Sequence, residues 1–312
     1  MTCLAVINLV MNPVSPQARA LSGLFTVTLV VCGVVFLIVV GLIAWCLLHF
    51  RRRAEVGEPR QVTGNTKLEV SWTLAFIVVL IFLFVLTVRV MRIADPPMER
   101  QPDLTIIGHQ WWWEARYADG TVTANEIHIP TRTDILVVVN SADVIHSFWV
   151  PQLGRKMDAI LGHPNHLWIR ADQPGKYSGS CSEFCGAQHA WMRIQVIAQT
   201  PEEFGKWTEH QSAVAVSAAT PAASRGEQAF KQNTCVQCHS IRGVNQPVEV
   251  GPDLTHFASR QTIGTGILTN DLTDLRRWLT NPQLVKPGCR MPDFHLAATN
   301  VDDLAEYLET LK

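Results

Sequence analysis

The chain has 312 residues, with 26 Lys plus Arg against 27 Asp plus Glu, and a net charge of -1 when its 11 His are counted neutral. No basic surplus is left to neutralise phosphates, which argues against a nucleic-acid partner, and the length allows about two folded domains. Only 17% of residues are charged, and the mean hydropathy is positive, so membrane-spanning segments are expected.

In chain order, residues 1–20 form an N-terminal segment with a short apolar run, "LAVINLVM", and an "ARA" that mimics a cleavage site. The segment lacks the basic leader of a signal peptide. From Ala20 to Phe50 there is no Asp, Glu, Lys or Arg. This predicts a first transmembrane helix over residues 21–50, long enough for a hydrocarbon core of about 30 Å. A second uncharged run, Val70 to Val88, predicts a second helix over residues 70–93. A buried soluble helix is its rival reading, but the first span needs a return partner.

The loop between them, residues 51–69, holds Arg51, Arg52, Arg53, Arg60 and Lys67, whereas only Arg19 precedes the first span. The positive-inside rule puts this loop in the cytoplasm and both termini outside. Arg89 and Arg92 run against that count.

After the Pro-rich "ADPPMERQP", short β-branched and aromatic runs alternate with Gly, Pro, Asn and Asp turns from residue 103 to residue 199. That pattern predicts a small antiparallel sandwich or barrel. Residues 200–224 read as a short helix, with Thr200 as N-cap and Pro201 at its first position, followed by a flexible Ala/Ser/Val/Thr-rich linker. Residues 225–312 read as a second soluble domain, all-helical, joined by Gly- and Pro-rich loops.

The chain has eight cysteines. Cys32 and Cys46 sit in the first span as small apolar residues, and Cys3 and Cys289 have no spacing partner. The remaining four make two motifs. "CVQCH" (Cys235, Cys238, His239) is the attachment pattern of covalent haem c, in which two thiols bind the vinyl groups and the histidine binds iron. Its rivals are a chance match or a redox dithiol. A sixth ligand is available in Met291, on the stiff loop "KPGCRMPDF", with His256 and His295 as competitors. A His/Met pair raises the reduction potential. "GPDLT" is placed to offer a backbone carbonyl to the His239 ring N–H. Haem c is attached outside the cytoplasm, in agreement with the loop charges.

"CSEFCGAQHAWM" (residues 181–192) gathers Cys181, Glu183, Cys185, His189 and Met192, and "VIHSFWVP" offers His146 from a strand end. Three readings compete. Structural zinc would use the two Cys and two His and leave Met192 idle. A disulfide across three residues closes a cramped ring. Copper uses every member, since thiolate and thioether are soft ligands and imidazole suits it also. Two cysteines suggest two coppers with bridging thiolates, each capped by one histidine. The haem motif and the spans favour copper, because zinc carries no electrons.

With these motifs assembled, the chain resembles subunit II of a haem–copper cytochrome c oxidase, of the bacterial type with a cytochrome c domain fused to its C-terminus. The resemblance runs nearly the whole length, through "LEVSWT", "GHQWWWEARY", "TANEIHIP", "SADVIHSFWVPQLGRKMDA", "CSEFCGAQHAWM", "GPDLTHFASR" and "KPGCRMP". It implies a multidomain membrane protein: a two-helix transmembrane hairpin, an all-β cupredoxin-like Greek-key barrel, and an all-α class I cytochrome c domain.

By the family pattern Cys181 and Cys185 bridge a dinuclear CuA centre, and His146 and His189 each bind one copper. Met192 and the backbone carbonyl of Glu183 are the weak ligands. The Glu183 side chain faces subunit I and shares a magnesium ion with it. Trp111, in the run Trp111, Trp112, Trp113, is expected where electrons enter. Glu69 matches an acid at the cytoplasmic mouth of a proton channel, with a plain helix-flanking charge as its rival. The family often has a Pro after "WT" in the second span, and "WTLAF" has none.

The implied function is electron input to a proton-pumping terminal oxidase of the bacterial inner membrane, with the N-terminus, CuA and haem c on the periplasmic side. Its partners are subunits I and III, the lipid membrane and an external donor such as a cytochrome c. The chain holds no further haem or copper motif for oxygen reduction itself. The alternatives are a membrane-anchored electron or copper carrier without an oxidase core, a nitrous-oxide-reducing enzyme, which would need a large His-rich domain, and a quinol oxidase subunit, whose barrel lacks copper ligands.

Overall fold

The computed structural model describes residues 10–51, 61, 63–97, 100–215 and 220–312. Cys3, Arg52, Arg53, Arg60, residues 1–9 of the N-terminal segment and the middle of the expected linker lie outside the described residues. The chain forms two units, Arg19–Asp95 and a second one made of Met1–Ala18 with Pro96–Lys312.

Helices α1 (Pro16–His49, 34 residues), from Arg19 onward, and α2 (Thr66–Ala94, 29 residues) make up the first unit. At 1.5 Å per residue they extend about 51 and about 44 Å, enough to cross a bilayer core. Both start a few residues before the expected spans because their caps do. Ser15 Oγ accepts from Ala18 N ahead of Pro16, and the Asn65 side chain accepts from Leu68 N. Apolar side chains lie exposed all round both helices, from Phe36 to Leu47 and from Leu74 to Phe84. A helix apolar on every face requires an apolar surround.

The second unit begins with a barrel. Its strands are β1 (Leu104–His109), β2 (Trp112–Tyr117), β3 (Val122–Ala124), β4 (Glu126–Pro130), β5 (Ile135–Ser141), β6 (His146–Phe148), β7 (Met157–Ala159), β8 (Asn165–Ile169), β9 (Gly175–Ser180) and β10 (Arg193–Gln199). One sheet runs β3-β2-β1-β5-β8 and the other β4-β10-β9, with β6 and β7 as a separate ribbon. The pairs β1–β5 and β4–β10 are parallel, a departure from the antiparallel expectation. Parallel neighbours need crossover connections, and the pattern of short runs and turns does not encode them. Alternate residues of β1 and β5 point inward, placing Leu104, Ile106, Val137 and Val139 around the fully buried Trp113. Trp113 meets Phe148 edge-on at 5.6 Å.

Helix α3 (Pro201–Ser212) opens with a capping box between Thr200 and Glu203. Trp207 stacks on His128 of β4 at 4.2 Å, which seats α3 against the barrel. Helix α4 (Pro221–Gln232) starts inside the stretch expected as linker up to residue 224, because Thr220 caps it and Pro221 takes the first position. Helices α5 (Leu272–Thr280), α6 (Pro282–Val285) and α7 (Ala298–Leu308) complete the second domain, with one ribbon of β11 (Thr262–Ile263) and β12 (Leu268–Thr269). Its core gathers Phe230, Leu275, Val301, Leu304, Tyr307 and Leu311.

α4 and α7 pack closely at Gly226. A Cβ there would lie 2.6 Å from the Asp303 carbonyl carbon and 2.7 Å from Tyr307 Cβ. Gly226→Ala should therefore destabilise the helical domain by about 1–3 kcal/mol, the usual scale of overpacking. In thermal unfolding followed by far-ultraviolet dichroism, the transition of the helical domain should move down while the barrel transition stays; an unchanged midpoint would refute the close-packing argument.

Candidate metal centre and haem cavity

The copper candidates sit at one end of the barrel. His146 opens β6, and Cys181 to Met192 form the connection from β9 to β10. Backbone bonds shape that loop: Cys181 N donates to Met192 O at 2.9 Å, His189 N to Gly186 O at 3.0 Å, and Met192 N to His189 O at 3.2 Å. Ser182 N donates to Ser147 O at 2.9 Å, which ties the loop to β6.

The two thiol sulfurs lie 3.8 Å apart. A disulfide needs about 2.05 Å, so these cysteines are free. Cys181 Sγ lies 3.9 Å from His146 Nδ1 and 3.2 Å from the Glu183 carbonyl oxygen. Cys185 Sγ lies 3.6 Å from His189 Nδ1 and 3.8 Å from Met192 Sδ. Donors that share a tetrahedral ion at the usual N and S bond lengths stand about 3.3–3.8 Å apart, so the donor set fits metal. His146, Cys181 and Cys185 lie mutually within 4.8 Å, and His189 stands outside that group, beside Cys185. One tetrahedral ion would need all four together. Two ions sharing the thiolate pair, one toward His146 and one toward His189, suit the arrangement better than a single zinc.

The surroundings favour one thiolate of the pair: Cys181 is held low, while its hydrogen bond and burial push the Cys185 thiol up. Hydrogen bonding from Cys185, against the effect of burial, holds the Cys181 thiol well below its ordinary range, with His146 assisting. Thiolates are the metal-binding form. Burial tends to lower the His146 pKa, but Cys181 and Asp143 outweigh it and raise it. Asp143 Oδ1 lies 2.8 Å from His146 Nε2, so Nε2–H can donate to Asp143 and leave Nδ1 for metal. Gly108 makes room for this ring, since a Cβ there would lie 2.7 Å from His146 Cδ2. Asp143 escaped the sequence reading; its only signal is an acid three residues before His146.

Of the three tryptophans, Trp112 and Trp113 are buried and Trp111 is half-buried. Trp111 Nε1 and Gln110 Nε2 both donate to Cys185 O at 2.9 Å. The Glu183 side chain is exposed, and Phe184 beside it is 78% exposed. Glu69 lies in the first turn of α2, where its carboxylate accepts from Asn65 N at 3.3 Å.

In the helical domain, Cys235, Cys238, His239 and Met291 line one cavity of about 210 Å³. Its walls include Phe230, Leu254, Leu279, Leu304 and Leu308. Interiors otherwise pack densely, and paired thiols, an imidazole and a thioether around an apolar cavity fit a covalently held haem. His239 Nδ1 lies 2.8 Å from Pro252 O, within "GPDLT". Burial lowers the His239 pKa, so a neutral ring donates from Nδ1 and keeps Nε2 for iron. His256 does not line the cavity: its ring nitrogens lie 2.9 Å from Lys312 O and 3.2 Å from Ala213 O. His295 is 88% exposed beside Asp293. Of the three candidates for a sixth ligand, only Met291 lines the cavity. Cys289 and Arg260 also line the cavity, and Arg260 donates to Asp253 O.

Asp143→Asn should lower copper affinity by about 10–100-fold, as loss of a carboxylate behind a ligand histidine does. Chelator competition measures it, and unchanged affinity would remove Asp143 from the site.

Comparison with known proteins identifies the family. The transmembrane domain of cytochrome C oxidase subunit II matches residues 6–90, its periplasmic domain residues 119–199, and cytochrome c residues 223–312. The chain is 34% identical to cytochrome c oxidase subunit 2 of Alkalihalophilus pseudofirmus, over 99% of this chain and 93% of that protein. It is 33% identical to cytochrome c oxidase subunit 2 of Bacillus sp. PS3, over 84% of this chain and 79% of that one. The solved periplasmic domain of subunit II of cytochrome oxidase (CoxB) of Bradyrhizobium japonicum is 36% identical, over 37% of this chain and 97% of that domain, with a TM-score of 0.35. A barrel holding the donor set of a CuA centre, a helical domain with a haem-binding motif and two membrane-length helices thus meet in one chain, which belongs to the cytochrome c oxidase subunit II family.

Proposed function

We propose that this chain is the electron-input subunit of a proton-pumping haem–copper oxidase. It takes electrons from an external donor at its helical domain and delivers them from the copper loop to the haem of subunit I, where oxygen is reduced to water. One observation carries the reading: Trp111 lines the haem cavity and also donates its indole N–H to Cys185 O, so a single side chain touches both candidate sites.

His146, Cys181, Cys185 and His189 would hold the dinuclear CuA centre, with Met192 and the Glu183 carbonyl as weak ligands. Cys235 and Cys238 would hold haem c covalently, and His239 and Met291 would bind its iron. Both groups supply one-electron chemistry when bound. The residues contribute a rigid frame: Asp143 and Pro252 each fix one imidazole by its second nitrogen, which keeps geometry similar in both redox states.

The exposed Glu183 carboxylate and Phe184 form the face offered to subunit I, with Glu183 sharing a magnesium ion there. Subunit III completes the complex. Both soluble domains and the N-terminus lie on the periplasmic side, and Trp111 stands where electrons enter the copper site. For Glu69 as a proton-channel residue the support is position alone, and its bond to Asn65 N equally suits a helix-start acid.

In the purified full chain, two coppers and one haem c with a mixed-valence EPR signal are expected; stoichiometric zinc in place of copper would end the proposal. Cys185→Ser should abolish the mixed-valence signal and leave the haem spectrum intact. Purification in detergent separates the alternative, since a free carrier comes out alone and an oxidase subunit comes out with multi-span partners.

A further inference from the structure

The helical domain does not hang from its linker; it lies against the copper end of the barrel. Two charged side chains are buried in that contact, Glu126 and Lys286, each 4% exposed. Glu126 belongs to β4 of the barrel, and its carboxylate accepts only from the other domain among its described hydrogen bonds. Gln261 N donates to it at 3.0 Å, Thr262 N at 2.9 Å and Thr262 Oγ1 at 2.9 Å. Consecutive backbone N–H groups converging on an anion form a nest, and the bonds are charge-assisted.

Lys286 mirrors this from the other side. It follows α6 in the helical domain, and its ammonium donates to Trp111 O of the barrel at 3.0 Å and to Thr265 Oγ1 at 2.7 Å. Thr265 Oγ1 in turn lies 2.6 Å from Trp191 O in the copper loop. Around these two anchors, Arg290 donates to Gln110 Oε1 at 2.6 Å and Gln188 donates to Pro287 O.

We propose that Glu126 and Lys286 are positioning residues that latch the helical domain in one pose over Trp111, so that this chain's own domain occupies the barrel surface a soluble electron donor would use. This rests on the functional reading above. A buried carboxylate or ammonium without its mate is strongly disfavoured, so any other docking pose that buries either group is rejected. The latch thus selects register more than it adds affinity. Arg290, 58% exposed at its side chain, is screened by salt and cannot set the pose in this way. Lys286 is also five residues before Met291, so the pose fixes the loop that carries the sixth iron ligand relative to Trp111.

The test is hydrogen exchange on the full chain in detergent, loaded with copper and haem, read crosswise. Glu126→Ala is read at Trp111 and Trp191, and Lys286→Met at Gln261 and Thr262, because neither variant removes a hydrogen bond at the site where it is read. At least about tenfold faster exchange is expected at the remote segment in each case, together with faster reduction of copper by an added soluble cytochrome c. Unchanged remote exchange in both variants, with copper and haem spectra intact, overturns the latch. Should Glu126→Ala fail to fold, Glu126→Gln keeps the shape and one acceptor oxygen and is read in the same way. Absence of copper or haem from the wild-type chain would instead overturn the functional reading.

Discussion

Two thiols held 3.8 Å apart, too far to bond and near enough to share a metal, set the terms for the rest of the barrel. Soft ligands on a twelve-residue loop would collapse into a disulfide or splay apart if the loop were free. Here the loop is closed on itself by Cys181 N to Met192 O, and sewn to β6 by Ser182 N to Ser147 O. β6 also delivers His146, whose ring rests edge-on against Trp113 at 5.8 Å. The buried core of the barrel thus has a second purpose beyond stability, as it fixes the distance between candidate ligand atoms that come from remote parts of the sequence.

The helical domain repeats this logic with different chemistry. Cys235, Cys238 and His239 come from one short segment, but Met291 arrives on a loop more than fifty residues later. The close approach of α4 and α7 at Gly226 and the core around Tyr307 bring that loop to the cavity. In both domains one candidate ligand histidine is oriented through its second ring nitrogen, by a carboxylate in the barrel and by a backbone carbonyl in the helical domain.

Much of this was legible because it is local. Uncharged runs announce the two long helices, "CVQCH" announces a haem thiol pair, and the Cys–His–Met spacing of residues 181–192 announces soft-metal chemistry. What escaped is non-local. The parallel pairs β1–β5 and β4–β10 depend on where the chain crosses between sheets. Asp143 is an ordinary loop acid until β6 turns His146 toward it. The helix that starts at Pro221 lies in a stretch whose Ala and Ser content reads as linker, although Thr220 and Pro221 carried the capping signal. Glu126 looked like one residue of a strand, and its partners, Gln261 and Thr262, are backbone amides that no composition argument can find.

The seating of one domain on the other also bears on kinetics. Two separate proteins must meet by diffusion, and their rate depends on concentration and on salt. Domains of one chain held face to face are already past the encounter, at an effective concentration of about millimolar or more. With the proposed haem and copper in place, transfer between them would be first order, and ionic strength would act only on the arrival of an external donor. A cell that makes little soluble carrier, or whose surroundings vary in salt, would keep the inner step at constant speed.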